Sequence, residues 1–192
     1  MSILKFNPRT SLLMLIITLI AVIRIINNFS TEMTVSANYS PLVAMALFGG
    51  AYFKGSIKPL IFPLLPIFIS DMILFATVYK QYRNGFLYSG WFWVYAAFLL
   101  IALSGKLIIK KVKLQTVAIS ILGAVLIHWI VTDFGVWVGS AKYAQNLSGF
   151  GACLNAAVPF ELRLLTATIV YSAVMFGIFE WMKKRYSIFQ TS

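Results

Sequence analysis

An all-α, polytopic membrane protein with six transmembrane helices is the fold class this sequence predicts, on three observations. Of 192 residues, 60% are hydrophobic and 11% charged, with mean hydropathy +0.87; a soluble domain carries about 25% charged residues. The apolar residues form six continuous runs, without the period-two alternation of a membrane barrel. The basic residues collect in alternate connections between those runs, the pattern of cytoplasmic loops. No linker, tandem repeat or low-complexity segment divides the chain, so residues 1–192 are expected to form a single domain.

The first run, Ser11–Asn27, follows Lys5 and Arg9 and resembles a signal peptide, with Val35-Ser36-Ala37 as a cleavage site. Arg24 and Glu32 interrupt the stretch before that site, so a retained first helix is expected. The second run, 40–53, is short of the ~20 residues that cross a bilayer. Ser40-Pro41 marks its start, Pro being tolerated in a first turn where its missing N–H costs nothing. Ala44, Ala46, Gly49, Gly50 and Ala51 would let another helix approach closely. In the third run, Pro59–Tyr79, three prolines (Pro59, Pro63, Pro66) fall near one face and should bend the helix. Asp71 follows them, where an irregular backbone lining a cavity would be tolerated. The fourth and fifth runs are Phe86–Ser104 and Leu114–Val131, and the sixth is 159–182, opened by Pro159. More than twenty residues then separate the fifth and sixth helices. Loops of that length are uncommon and often functional, so a lid or short interfacial helix is expected, or a belt of aromatics at the headgroups.

Orientation follows from counting Lys and Arg by side. With the amino terminus cytoplasmic, that side holds Lys5, Arg9, Lys54, Lys58, Lys106, Lys110, Lys111, Lys113, Lys183, Lys184 and Arg185, eleven against the three (Lys80, Arg83, Lys142) opposite. Both termini are therefore expected in the cytoplasm, and the net charge of +11 reflects this rule and attraction to lipid headgroups. Nucleic acid is not an expected partner, since the basic residues form no stripe with interleaved aromatics.

Burying charge in lipid is costly, so ionisable residues inside apolar runs usually face a shared polar cavity. At roughly 1.5 Å per residue, Arg24 lies about 20 Å, Asp71 about 18 Å and His128 about 21 Å from the inner ends of their helices. Arg163 descends about 6 Å from the outer end of the last one. The four fall in the outer half, where a cavity would open outward to capture a solute. Arg24 and Arg163 suit an anionic group and Asp71 a donor or cation. The plainer alternative is that an arginine pairs with Asp71 only to hold helices together. Trp129, Asp133 and Trp137 share a helix face at i, i+4 and i+8. Trp129, Trp137 and Phe134 would supply apolar contact to the solute, and Asp133 and Asn155 further polar groups. Replacing Asp71 by Ala is expected to weaken binding without loss of folded protein.

Several segments resemble an uncharacterised bacterial family of six-helix proteins assigned to transport. That family is similar to the substrate-binding (S) components of energy-coupling factor vitamin transporters. The matches are Ser40-Pro41 with Ala46–Phe53, Ser70-Asp71, Thr132–Trp137, Cys153 and Ala157–Phe160. Where the family commonly has Asn this chain has Asp133, and a polar or acidic pair near Thr166-Ala167 is absent. The resemblance implies capture of a vitamin-like solute on the outer side, cobalamin or another corrinoid being a guess from a related solitary S-type protein. Cys153 and His128 would then be candidate ligands to the corrinoid metal. S-type proteins often couple to energising transmembrane and ATPase subunits through small residues four apart in the first helix. Here only Thr18, Ala21 and Val22 are available there.

No GxxxxGK[ST] loop is present to hold nucleotide. One Cys and one His cannot make a structural zinc site, and no cofactor is expected. An intramembrane enzyme built on His128 with Asp133, or on Cys153 with His128, is the second function class. On a regular helix, however, residues five apart point about 140° from each other. A ligand-free scaffold subunit is the third, and it leaves four ionisable groups at one depth unexplained. The expected location is a bacterial plasma membrane, with lipid and a small solute as partners.

Overall fold

A computed structural model describes residues 8–30 and 39–186. Among the described residues six α-helices form one bundle: α1 (Pro8–Ser30), α2 (Leu42–Tyr52), α3 (Lys58–Ala76), α4 (Trp91–Ile108), α5 (Leu114–Gly139) and α6 (Leu147–Arg185). All but α2 are long and apolar enough to cross a membrane. The candidate cleavage site Val35-Ser36-Ala37 lies outside the described residues.

The start of α1, the end of α2 and the end of α6 meet at one end of the bundle. There Arg9 Nη2 donates to the Tyr52 carbonyl at 3.1 Å, and the Tyr52 hydroxyl donates to Glu180 Oε1 at 2.6 Å. This is the basic end, flanked by Lys54, Lys58, Lys106, Lys183, Lys184 and Arg185. At the far end the Tyr79 hydroxyl donates to Asn28 Oδ1, and the rings of Trp93 and Phe134 lie 5.0 Å apart.

α2 is the centre of the fold. Ten of its 11 residues are buried, and α1, α3, α4, α5 and α6 all pack against it. At 1.5 Å per residue it spans about 16 Å, roughly half a hydrocarbon core. It lies inside a ring of longer helices and does not cross alone. Close packing with its neighbours holds it there, as it would have to in a lipid surround as apolar as these side chains. A Cβ on Gly50 would stand 2.0 Å from the Ala102 carbonyl oxygen of α4, and one on Gly105 2.6 Å from that of Leu47. A Cβ on Gly49 would meet Pro63 of α3 at 2.6 Å. The small residues of run 40–53 therefore mark contacts in which backbone approaches backbone. Beside them Phe48 makes edge-to-face contacts with Tyr52, Phe176 and Phe179, at centroid distances of 4.8, 5.3 and 5.8 Å.

The outer helices are apolar on both faces, as expected where one face meets protein and the other lipid. α1 buries Leu13, Ile16, Ile17, Ile20 and Ala21 while Leu15, Leu19, Val22, Ile23 and Ile26 stay exposed. Continuing the buried stripe by fours and threes leads to Arg24 and Asn28. α3 buries Pro59, Pro63, Pro66, Ile67, Ser70, Asp71 and Leu74, so its prolines and its acid share one inward face.

Two boundaries differ from expectation. The fourth helix starts at Trp91, not Phe86, because Arg83–Asn84 and Leu87–Tyr88 pair as a small antiparallel hairpin. Gly85 (φ 71°) supplies the left-handed residue its turn requires. The larger difference is at the end of the bundle. α5 runs to Gly139 and α6 begins at Leu147, leaving only residues 140–146 between them. No lid or separate interfacial helix forms there; the two helices extend as a paired stub. The glycines in this stretch do not break it. A Cβ on Gly135 would stand 2.3 Å from Trp93 Cδ1, so Gly135 seats that ring, and the contact offsets the roughly 1 kcal/mol that glycine costs a helix. Pro159 lies inside α6 instead of opening it, lacking only the N–H that would reach the carbonyl of Asn155.

Candidate functional site

Four helices carry an ion pair and a histidine–carboxylate hydrogen bond toward the far half of the bundle. Arg24 of α1 places Nη2 2.6 Å from Asp71 Oδ1 of α3, and its Nη1 donates to Ser70 Oγ. Asp71 Oδ2 accepts from the Tyr95 hydroxyl of α4 at 2.9 Å. The Ser70 hydroxyl donates to the Ile67 carbonyl at 2.8 Å. The Asp71 side chain is 2% exposed and that of Arg24 13%, so each is charged in a place where the other is its main compensation. Asn28 Nδ2 reaches back to the Arg24 carbonyl at 2.7 Å, stiffening the turn that presents the guanidinium.

The second pair joins α5 to α6. His128 Nδ1 lies 3.0 Å from Glu161 Oε1, the arrangement of an Nδ1–H donating to a carboxylate. Glu161 Oε2 is buried and has no hydrogen-bond partner among the described residues. A carboxylate oxygen left so is costly in an apolar setting, and it calls for a donor.

Between the pairs lies a cavity of about 240 Å³. Arg24, Tyr88, His128 and Glu161 furnish its polar wall, and Leu42, Phe98, Phe160 and Leu164 are among its apolar residues. The hairpin that displaced the start of α4 is what brings Tyr88 to this wall. Burial raises the Tyr88 phenol above its ordinary pKa, with the Asp71 carboxylate adding to the shift and Arg24 opposing it.

The expected site residues divide accordingly. Arg24, Asp71 and His128 are brought together around the cavity, Asp71 through its hold on Arg24. Arg163 is half-buried and makes no ion pair or hydrogen bond among the described residues. Two positions beyond Glu161, it points about 200° around the helix from the cavity wall. Asn155 is exposed. Asp133 is buried one and a half turns beyond His128 and receives the Cys153 thiol, whose Sγ lies 3.6 Å from its carbonyl oxygen and 3.8 Å from Oδ1. Cys153 therefore does not join His128 on the cavity wall as a second metal ligand. Among the described residues no group of three or more His, Cys, Asp or Glu is placed to hold a metal.

The aromatics expected to contact a solute are committed elsewhere. Trp129 donates from Nε1 to the Leu154 carbonyl at 3.1 Å, and Trp137 from Nε1 to that of Ala144 at 2.8 Å. Phe134 packs with Trp93, Trp137 and Phe150 at 5.0 to 6.0 Å between centroids. They tie the α5–α6 stub together and to α4, and do not line the cavity.

Tyr88 and Glu161 are polar wall residues that sequence reasoning missed, Tyr88 because the hairpin was not foreseen. Taking Pro159 as the start of a helix put Glu161 in its first turn at the headgroups, where an acid needs no explanation. Once α6 runs through Pro159, Glu161 is an acid in mid-helix, and the rule that intramembrane ionisable residues mark sites applies. With only five acidic residues in the chain, that rule would have found it.

Fold and site together define an α-helical bundle of membrane-crossing proportions that encloses an ionic cavity. Comparison with known families places the chain directly: it belongs to a family of unknown function (DUF6580), whose model matches residues 4–190. No curated protein and no solved structure matches it.

Proposed function

We propose that this protein is a membrane-embedded binding component that takes up a small organic solute, in the manner of the S components its motifs resemble. The observation that supports this best is the cavity itself, with a guanidinium on one wall and an incompletely satisfied carboxylate on another. Such a site favours a solute that presents an acceptor to Arg24 and an N–H or cationic group to Glu161, with a compact apolar body between them. Ligand pockets commonly measure about 300–1,000 Å³. At about 240 Å³ this one suits a small vitamin-like molecule better than a corrinoid. Neither enzyme pairing drawn from the sequence supports that alternative, since His128 pairs with Glu161 and Cys153 with Asp133. A scaffold subunit would need no cavity lined by charge.

By the positive-inside rule the basic end is cytoplasmic in a bacterial plasma membrane, and the cavity then lies toward the outside. Energy comes from partner transmembrane and ATPase subunits, or the protein works alone by passive translocation. Mass spectrometry of small molecules that co-purify with the detergent-solubilised protein tests the reading. A stoichiometric solute is the expected result; protein that carries none and binds nothing from a vitamin panel would count against it.

Two further outcomes are expected. His128→Ala, which removes the Nδ1–H that orients Glu161, should weaken solute binding about tenfold, whereas Arg163→Ala should leave it unchanged. Equal effects in a titration of the two variants would show that the site has been drawn on the wrong helix faces. Neutralising Lys110, Lys111 and Lys113, which connect α4 to α5, should scramble topology without touching affinity, as read by reporter fusions at the carboxyl terminus.

A further inference from the structure

The basic end of the bundle holds a second, smaller cavity of about 90 Å³, between the start of α1 and the α2–α3 connection. Arg9, Lys54 and Lys58 bring three cations to its wall and Thr10 a hydroxyl, with the buried Tyr52 and Phe53 beside them; no acid lines it. These cations are positioned by the fold. Arg9 Nη2 is tied to the Tyr52 carbonyl, and the Tyr52 hydroxyl is tied to Glu180. The ring of Phe53 packs edge-to-face on Phe62 at 4.9 Å, and Lys106 Nζ donates to the Ser56 carbonyl at 3.4 Å, so the connection is held at two points. Gly55, at φ 97°, supplies the left-handed turn between Lys54 and Lys58. Lys58 is also the first residue of α3, and Ile57 before it offers no side-chain cap. The positive end of that helix therefore adds to the field of the three cations.

The described acids are committed elsewhere. Asp71 holds Arg24, Glu161 holds His128, Asp133 receives the Cys153 thiol, and Glu180 is shared by Tyr52 and Lys183. Lys54 and Lys58 make no ion pair among the described residues. We propose that this cavity binds a phosphate group from outside the chain, carried by an anionic phospholipid. A guanidinium offers its fork to a tetrahedral oxyanion and two ammonium groups add point charge. The cavity is compact, so the phosphate enters and the rest of the lipid stays outside. Three cations favour a phosphomonoester, which carries close to two charges at neutral pH, so phosphatidic acid is the expected headgroup. The positive-inside rule places this end at the cytoplasmic headgroups, where basic pockets between helices take anionic lipid. The bound phosphate would join α1 to the α2–α3 connection. This site is separate from the outer cavity and stands whether or not that cavity takes a solute.

The test uses the full chain in phosphatidylcholine vesicles, with chain-spin-labelled phosphatidic acid and chain-spin-labelled phosphatidylcholine as probes. Electron paramagnetic resonance reads the motionally restricted fraction of each. Phosphatidic acid is expected to be favoured about tenfold. The double variant Lys54→Gln with Lys58→Gln, both at exposed positions, should remove most of that preference. Lys184→Gln with Arg185→Gln takes the same charge from exposed positions at the same end but outside the cavity, and should leave the preference in place. Equal loss in the two double variants overturns the proposal, since general attraction to a basic surface would then account for it. Equal restriction of the two lipids in the parent protein overturns the lipid source, and calorimetry with inorganic phosphate then decides the site. Binding that disappears in Lys54→Gln with Lys58→Gln would assign the cavity to a soluble phosphate; no binding overturns the site altogether.

Discussion

Replacing Asp71 by Ala is expected to lower the stability of the folded protein by about 3–5 kcal/mol, the cost of leaving a buried charge without its partner. Arg24 would lose the carboxylate 2.6 Å away and keep only Ser70 as a side-chain partner. Its turn of α1 would then have to carry an uncompensated guanidinium inside the bundle. This revises the expectation drawn from the sequence, that Asp71→Ala would weaken binding and spare the fold. Unfolding followed by tryptophan fluorescence in a mild detergent measures the effect. The double substitution Arg24→Met with Asp71→Leu separates structure from function. Removing both charges should recover most of the stability, since apolar replacement of a buried pair is often neutral or better, while solute binding is lost. A single variant as stable as the parent would mean that Arg24 does not depend on Asp71.

Gly50→Ala is the second large effect. The new methyl would stand 2.0 Å from the Ala102 carbonyl oxygen, and that atom is backbone on a neighbouring helix. α2 and α4 would have to separate at the most enclosed contact of the bundle, at a cost of roughly 1–3 kcal/mol or more. Gly123→Ala and Gly177→Ala are the controls. Neither methyl would meet anything within 4 Å, and each should stabilise its helix by about 0.5–1 kcal/mol through lost freedom of the unfolded chain. Melting temperatures of the three variants in one detergent decide the matter. If all three shift alike, helix propensity and not interhelical contact governs these positions.

How much of this was legible beforehand depends on the range of the interaction concerned. The runs that became α1, α3 and the start of α5 were visible because hydropathy over a span is a local sum. The small residues of α2 were visible as a packing signal, yet nothing local said that Gly50 would lie on Ala102 of α4. The α5–α6 stub was misread because glycines and Pro159 resemble loop punctuation when taken one at a time. Gly135 is instead seated against Trp93, and Gly149 against the backbone of Ala144. That misreading hid Glu161, and with it half of the candidate site.

By itself the sequence determined a helical bundle of membrane-crossing length and hydropathy, and the presence of ionisable groups within the apolar runs. It also determined the asymmetry of charge between the two ends. Each depends on residue type and spacing along one segment. Only the tertiary structure decided which ionisable groups meet. Arg24 finds Asp71 on another helix, His128 finds Glu161 33 positions away, and Arg163 faces elsewhere. The rotation of a helix apolar on both faces is not written in its own residues; it is set by neighbours that approach closely enough to exclude every alternative.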